Sequence, residues 1–404
     1  MLATSEGPAA DRAHTVLGAA LTVVPLSNVG DPQARLAWMV RSTTGGDHPG
    51  DFVSLVDAES GSLINVHNRV RYLSGTLSAE HDTRTVDGNM SVSPLVDLTI
   101  EDEAGAATDT DRSGGYTLAG SEGNAALYNG VFFDVRDNGS RSRSGSLVWS
   151  ESDPVWTDSD ASQAELDTYV FLTMVQQWAE VHAADIGIIE DGMPGNVNLS
   201  SSCNAYFDPS EVTVNFYGAG SGCNNTGRIK DVIFHEWGHG MHMYAARTGW
   251  VDGSVGEGSA DVVAMLETND SVMAPHFQTS GSGIRDAAPN LRYPEDIVGE
   301  VHQDGLIFAG AAWDYLKILE ADLGLEAAQA IVGTQLVDAL QTNPEIPDGY
   351  DAFLLADDDD GGPSNGTPHM CALIEAFGDH GLGPVGTGGS FLTLVHEPIA
   401  SASS

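Results

Sequence analysis

Three side chains stand at a spacing that suits one divalent metal ion. The segment 231–239, DVIFHEWGH, has a helical pattern of apolar positions, so His235 and His239 lie one turn apart on the same face. Both imidazoles can then reach a single ion at about 2.0–2.1 Å. Glu236 lies between them, close enough to polarise a water that the metal activates without being a ligand itself. Its expected task is general base, then proton donor to a leaving amine. Glu257, 18 residues after His239, opens a second helical stretch within Gly256-Glu257-Gly258-Ser259-Ala260-Asp261 and is the expected third ligand. Alone it would equally suit an acid at a helix N-terminus; the histidine pair makes ligation the better reading.

Asp261 follows Glu257 by one turn on the same face, where it can accept the free N–H of a ligand histidine and fix its tautomer. His242 shares the face of His235 but lies about 10 Å along the helix axis, too far for the same ion. It reads as helix-packing surface.

The elements that must position these residues follow from the patterning. Helical periodicity runs from Ala164 through ELDTYVFLTMVQQWAEVHA, a strand pair falls within CNAYFDPSEVTVNFYGAG, and helices dominate after about residue 300, over 301–323, 325–340 and 370–377. Upstream, 34–73 alternates apolar and polar residues with a turn at 57–61, and short strands continue over 74–135. The Ser, Gly, Asp and Arg content of 136–160 reads as a linker. The expected fold class is therefore α+β and multidomain. It comprises an antiparallel β unit over 1–73, a small β-sandwich over 74–135, a domain over 161–384 with a mixed sheet and a mainly helical C-terminal lobe, and a tail over 385–404.

At the metal-site residues the chain resembles the gluzincin metallopeptidases, the thermolysin-like group, and among them the fungalysin family, where His-Glu-x-x-His-Gly is followed by Gly-Glu-Gly-x-x-Asp. The likeness runs from about 164 to 382. It implies a zinc ion on His235, His239 and Glu257, with Glu236 as base and Asp261 behind the ligands. Asn204-Ala205-Tyr206 is similar to the edge strand that captures an extended peptide in that group, which makes Asn204 and Ala205 substrate-binding candidates. His302, in VHQDGLI, resembles the histidine that bonds the tetrahedral oxyanion. Arg285 stands where the group keeps an arginine near the substrate carbonyl, with Arg292 as a rival. One departure is Trp250, where the group has a tyrosine; Tyr244 is a possible substitute. The region 34–73 resembles the tail of a propeptide of the PepSY/FTP-like kind, and 74–135 resembles transthyretin-like modules.

The resemblance thus implies a secreted zinc endopeptidase acting on polypeptides, with an unprocessed zymogen as one form of it. A zinc aminopeptidase would resemble its relatives through a Gly-x-Met-Glu-Asn strand, which is not found here. An inactive adhesion protein would have no need of the acid at Glu236. A serine hydrolase is disfavoured, since Gly-x-Ser-x-Gly is missing from any strand-to-helix context.

Composition narrows the partners. With 16 Lys and Arg against 58 Asp and Glu, the net charge of −42 excludes nucleic acid and anionic membranes as partners of the whole molecule. The acidity reads as a solvated surface, and the sequence sets no oligomeric state. The apolar run VLGAALTVVPL at 16–26 is too short to span a bilayer and lacks the basic flank of a signal peptide, so no export signal is visible. Cys203 and Cys223 flank one segment and can bridge in an oxidising compartment, leaving Cys371 as a small buried hydrophobe. The acidic loop 357–362 has carboxylates and a glycine turn that suit Ca2+, without EF-hand spacing; a solvated loop is the simpler reading.

Overall fold

The computed structural model describes residues 14–384, apart from 27–32, 45–49, 71, 103–104, 121, 142–143, 149–152 and 247–250. Antiparallel sheet occupies the N-terminal part and helices the C-terminal part. The expected tail at 385–404 and Trp250 lie outside the described residues. Among the described residues no helix is long and apolar enough to cross a membrane.

Strands β1 (Thr15–Leu26), β2 (Gln33–Thr44), β3 (Gly50–Asp57) and β4 (Leu63–Asn68) form an antiparallel meander. Alternation sets its faces: Leu21 pairs with Trp38 and Val23 with Leu36, which gathers apolar side chains on one side. At the turn after β3 Asp57 Oδ1 accepts from the Glu59 and Ser60 amides at 3.0 and 2.8 Å. The apolar run at 16–26 is the edge strand of this sheet.

Next come β5 (Tyr72–Thr76), β6 (Ser78–Asp82), β7 (Met90–Pro94), β8 (Leu98–Glu101), β9 (Ala107–Asp109), β10 (Gly115–Ala119) and β11 (Glu122–Gly130). The stretch 136–160, expected as a linker, instead carries strands. The pair β12 (Val135–Asp137) and β13 (Ser140–Arg141) extends the sheet that contains β16 (Gly195–Leu199), while β14 (Ser144–Val148) pairs with β11 and β15 (Val155–Trp156) with β6. Runs of two to five residues are too short to show a period of two, so composition hides them. Nor does 74–135 hold a core of its own. Leu77, Leu98, Ile100 and Leu127 belong to one continuous apolar cluster with Phe171, Phe234 and Trp237 of the helices.

Helix α1 (Gln163–His182) and the short α2 (Ile188–Asp191) lead into β16 (Gly195–Leu199), β17 (Ala205–Asp208) and β18 (Thr213–Tyr217). The resulting mixed sheet has the order β13-β12-β16-β18-β17, with β12, β16 and β18 parallel and β17 an antiparallel edge strand. Then follow α3 (Lys230–Ala245), α4 (Gly253–Thr268), a small hairpin of β19 (Val272–Met273) and β20 (Arg285–Asp286), α5 (Val301–Leu323), α6 (Leu325–Leu340), α7 (Gly349–Ala356) and α8 (Met370–Asp379). Helix α4 packs between α3 and α5. Their spacing depends on glycine: a Cβ on Gly238 would lie 2.8 Å from Ala260 Cα, and one on Gly258 would lie 2.5 Å from the Gly305 carbonyl oxygen. No side chain fits at either point.

Buried ions tie the β strands to the helices. Arg84, after β6, donates to both oxygens of Asp231 at 2.9 and 2.7 Å, to Asp270 at 2.6 Å and to the Val272 carbonyl at 3.0 Å. Asp231 is fully buried in the first turn of α3. Burial works against the charge on Arg84, and its two carboxylate partners outweigh it, so its pKa rises above the ordinary arginine value. In a second cluster Arg228 bonds Asp82 at 2.9 Å and lies 3.5 Å from Asp167, both carboxylates fully buried. Burial, and then the neighbouring Asp82, push Asp167 up to about 8.

Two outcomes follow for stability. Arg84→Met leaves Asp231 charged and stranded, and should cost about 3–5 kcal/mol of unfolding free energy in urea titrations; Asp231→Asn added to it should recover part of the loss, and an unmoved midpoint would show that the pair contributes nothing. Asp167 binds more protons folded than unfolded between its ordinary range near pH 4 and about pH 8, so this group makes stability fall as pH rises through that window. Thermal melts at about pH 5 and about pH 8 should show a smaller decline for Asp167→Asn than for wild type.

Candidate metal centre

Helices α3 and α4 aim the donor set. On α3, Ile233, Phe234, Trp237 and Met241 are buried in the core, and the adjoining face turns His235, Glu236 and His239 to a cavity. Helix α4 starts at its cap Asp252, whose Oδ1 accepts from the Ser254 and Val255 amides at 3.0 and 2.9 Å. Glu257 then falls in the second turn, facing α3. His235 Nε2 lies 3.2 Å from Glu257 Oε2, and His239 Nε2 lies 3.6 Å from Glu257 Oε1. Tetrahedral bonds of about 2.0–2.1 Å would separate neighbouring donors by about 3.3 Å, so the three fit one ion. One donor atom from each lies within 4.8 Å of the others. Glu257 Oε2 is buried with no hydrogen-bond partner, an orphaned oxygen that a divalent cation would satisfy.

Behind the donors, His235 Nδ1 donates to Asp261 Oδ1 at 2.8 Å, which leaves Nε2 facing Glu257. Arg285 grips Asp261 with Nε at 2.7 Å from Oδ2 and Nη2 at 2.6 Å from Oδ1. Burial favours a neutral Asp261, but Arg285 and His235 overcome it and hold the carboxyl well below its usual range. Burial also opposes charge on His235, yet the hydrogen bond to Asp261 and the nearby Glu257 carboxylate raise its pKa to about 9. Burial, then the charge on His235, lower His239 to about 3. Glu257 would be raised by burial; the close, cationic ring of His235 brings it down to about 2.

Glu236 is buried, and burial pushes its pKa up to about 7, aided by Glu257 and opposed by His235. A carboxyl poised there can both take and return a proton near neutrality. His302, half exposed at the start of α5, has Nδ1 at 2.7 Å from Glu300 Oε1 and Nε2 at 3.4 Å from Glu257 Oε2. A carboxylate only accepts, so Glu300 fixes an N–H on Nδ1.

The cavity has a volume of about 520 Å³. Asn204 and Ala205 form one side of it with Tyr206 and Phe207, at the free edge of β17. A disulfide joins Cys203, just before this strand, to Cys223. Cys371, expected to be buried, is exposed on α8. Arg285 lines the cavity, but its guanidinium is taken up by Asp261; the rival Arg292 instead bonds the Asp379 carbonyl. Tyr244 does not line the cavity and stands beside Gly187, because its position on α3 turns it away from the donors. His242, expected as packing surface, does line it.

In the acidic loop, Asp357 is buried and bonded to Gln335, Thr367 and His369, so it is committed to the fold. Asp358, Asp359 and Asp360 cluster beside it at the surface. Sequence reasoning missed Asp252, although an Asp before Gly-Ser-Val is a helix-cap signature. The apolar wall residues Met273, Phe277 and Ile284 carried no signal that marked them for the site.

No protein-family model and no curated protein matches this sequence. Among solved structures the chain is similar to the precursor of protealysin, a metalloproteinase from Serratia proteamaculans, with 15% identity and a TM-score of 0.49 over 62% of this chain and 88% of that one.

Loss of the Asp261 carboxylate should loosen the donor set. Zinc affinity of Asp261→Asn, measured by competition with a chromophoric chelator, should fall about 10–100-fold. An unchanged affinity would remove Asp261 from any part in holding metal.

Proposed function

We propose that this chain is a zinc-dependent endopeptidase of the thermolysin-like group, with the motif pattern of the fungalysin family, that cleaves internal bonds of polypeptides outside the cell. The observation that carries the reading is Glu236, a buried carboxyl tuned to about 7 beside two imidazoles and a third carboxylate, on the wall of a cleft bordered by a free strand edge.

A zinc ion held by His235, His239 and Glu257 would supply Lewis-acid polarisation of the scissile carbonyl and of the attacking water. The protein's own groups do the rest. Glu236 accepts the proton of that water on a carboxylate oxygen and returns it to the nitrogen of the leaving amine. His302 presents Nε2 on the cavity side; with Nδ1–H held by Glu300, the imidazolium form carries the second N–H there that would stabilise the negative charge developing on the carbonyl oxygen. Asn204 and Ala205, at the edge of β17, offer backbone groups to an extended peptide, which would add to the sheet as a further strand. Asp261 and Arg285 hold His235 in the tautomer that leaves Nε2 free.

The cavity continues along α3 on both sides of the donor set, from Val232 to Met243, which supports internal cleavage over removal of an amino terminus. The disulfide Cys203–Cys223 supports an oxidising, extracellular setting. The meander β1–β4, with its own hydrogen-bonded sheet, suits the role of a propeptide.

Casein digestion tests the mechanism, with stoichiometric zinc verified by elemental analysis for each protein. Glu236→Gln should lose on the order of 10²–10⁴ in rate while keeping its metal. Equal digestion by wild type and variant would remove Glu236 from the chemistry.

A further inference from the structure

The cavity has two unlike ends. Helix α3 rises 1.5 Å per residue, so Val232 and His242 are separated by about 15 Å along its axis, with His235 and His239 between them. Around Val232 the wall is apolar, made by Met273, Phe277 and Ile284; around His242 it is made by Met243, Val251, Asp252 and Gly253.

His242 is 1% exposed, and neither of its ring nitrogens has a hydrogen-bond partner. Buried polar atoms without partners are rare and call for a ligand or a water. The ring lies against the first turn of α4, where a Cβ on Gly256 would stand 3.6 Å from Nδ1. Asp252 caps that same turn through Oδ1 alone, so Oδ2 remains without a bond among the described residues.

We propose that this end of the cavity is a subsite for a lysine or arginine side chain of the substrate, bound by Asp252 and His242. This deepens the peptidase reading and rests on it. Met243 and Val251 cover the aliphatic stem, as long cationic side chains require. Asp252 Oδ2 accepts from the ammonium or guanidinium, and the unprotonated nitrogen of a neutral His242 ring accepts a second N–H. An acidic side chain would face Asp252 and be repelled. The net charge of −42 also draws cationic peptides toward the molecule.

The test uses the zinc-loaded full chain and pairs of peptides that carry lysine or norleucine at each position near the cleaved bond. At one fixed position wild type should favour lysine by about tenfold in kcat/KM. Asp252→Asn, which keeps the helix cap, should bring that ratio close to unity, and His242→Gln should lower it; thermal melts verify that both variants fold. In the Glu236→Gln background, calorimetric affinity for the two uncleaved peptides should show the same ratio and the same losses. Equal treatment of lysine and norleucine by wild type, or a preference untouched by both variants, overturns the subsite and leaves His242 holding water only. No cleavage of any peptide by wild type would sink the peptidase reading, and the affinity ratio would then decide the subsite by itself.

Discussion

A carboxylate taken out of water must meet a cation or a proton, and this molecule sets such carboxylates where its elements converge. Asp261 is the one on which the candidate metal centre depends. It receives Arg285 from the β19–β20 hairpin on both oxygens and His235 from α3 on Oδ1, so one group joins hairpin, α3 and α4. Removing solvent strengthens these contacts and makes an unpaired state costly. The ring of His235 is thereby held with its second nitrogen toward Glu257.

The same constraint acts further back. Asp231 in the first turn of α3 is answered by Arg84, and the Ala274 amide also donates to it at 3.1 Å. Helix α3 is therefore fixed at its start by ions, along its length by apolar packing, and beside Gly238 by close contact with α4. A site built in this way sits on rigid helices, which favours a donor set held at bonding distance before any ion arrives. Gly258 plays the matching part toward α5 and lets His302 stand over Glu257.

Much of this was legible in the sequence where the information is local. One helical turn relates His235 to His239 and another relates Glu257 to Asp261, so their spacing alone placed each pair on a common face. Helices expected at 301–323 and 325–340 coincide with α5 and α6, and that expected at 370–377 with most of α8, because their apolar periodicity is long enough to read. Information carried between distant parts of the chain was not legible. Arg84 and Asp231 are 147 residues apart and neither has a local signature. The strands at 136–160 are too short for alternation to reveal them, and α7, at eight residues, escaped notice for the same reason. The commitment of Arg285 to Asp261 likewise depends on a hairpin whose strands have two residues each.

The arginine that answers Asp231 comes from the loop after β6, 147 residues earlier in the chain, and this limits how the molecule can be shortened. Trimming from the amino terminus can remove β1–β4, whose residues stand apart from the shared core apart from their covalent link. A cut past residue 84 is different in kind, since it discards Arg84 and the Asp82 carboxylate together and leaves Asp231 without its counter-ion and Arg228 with only Asp167. The shortest form that keeps both ion clusters therefore begins no later than β6.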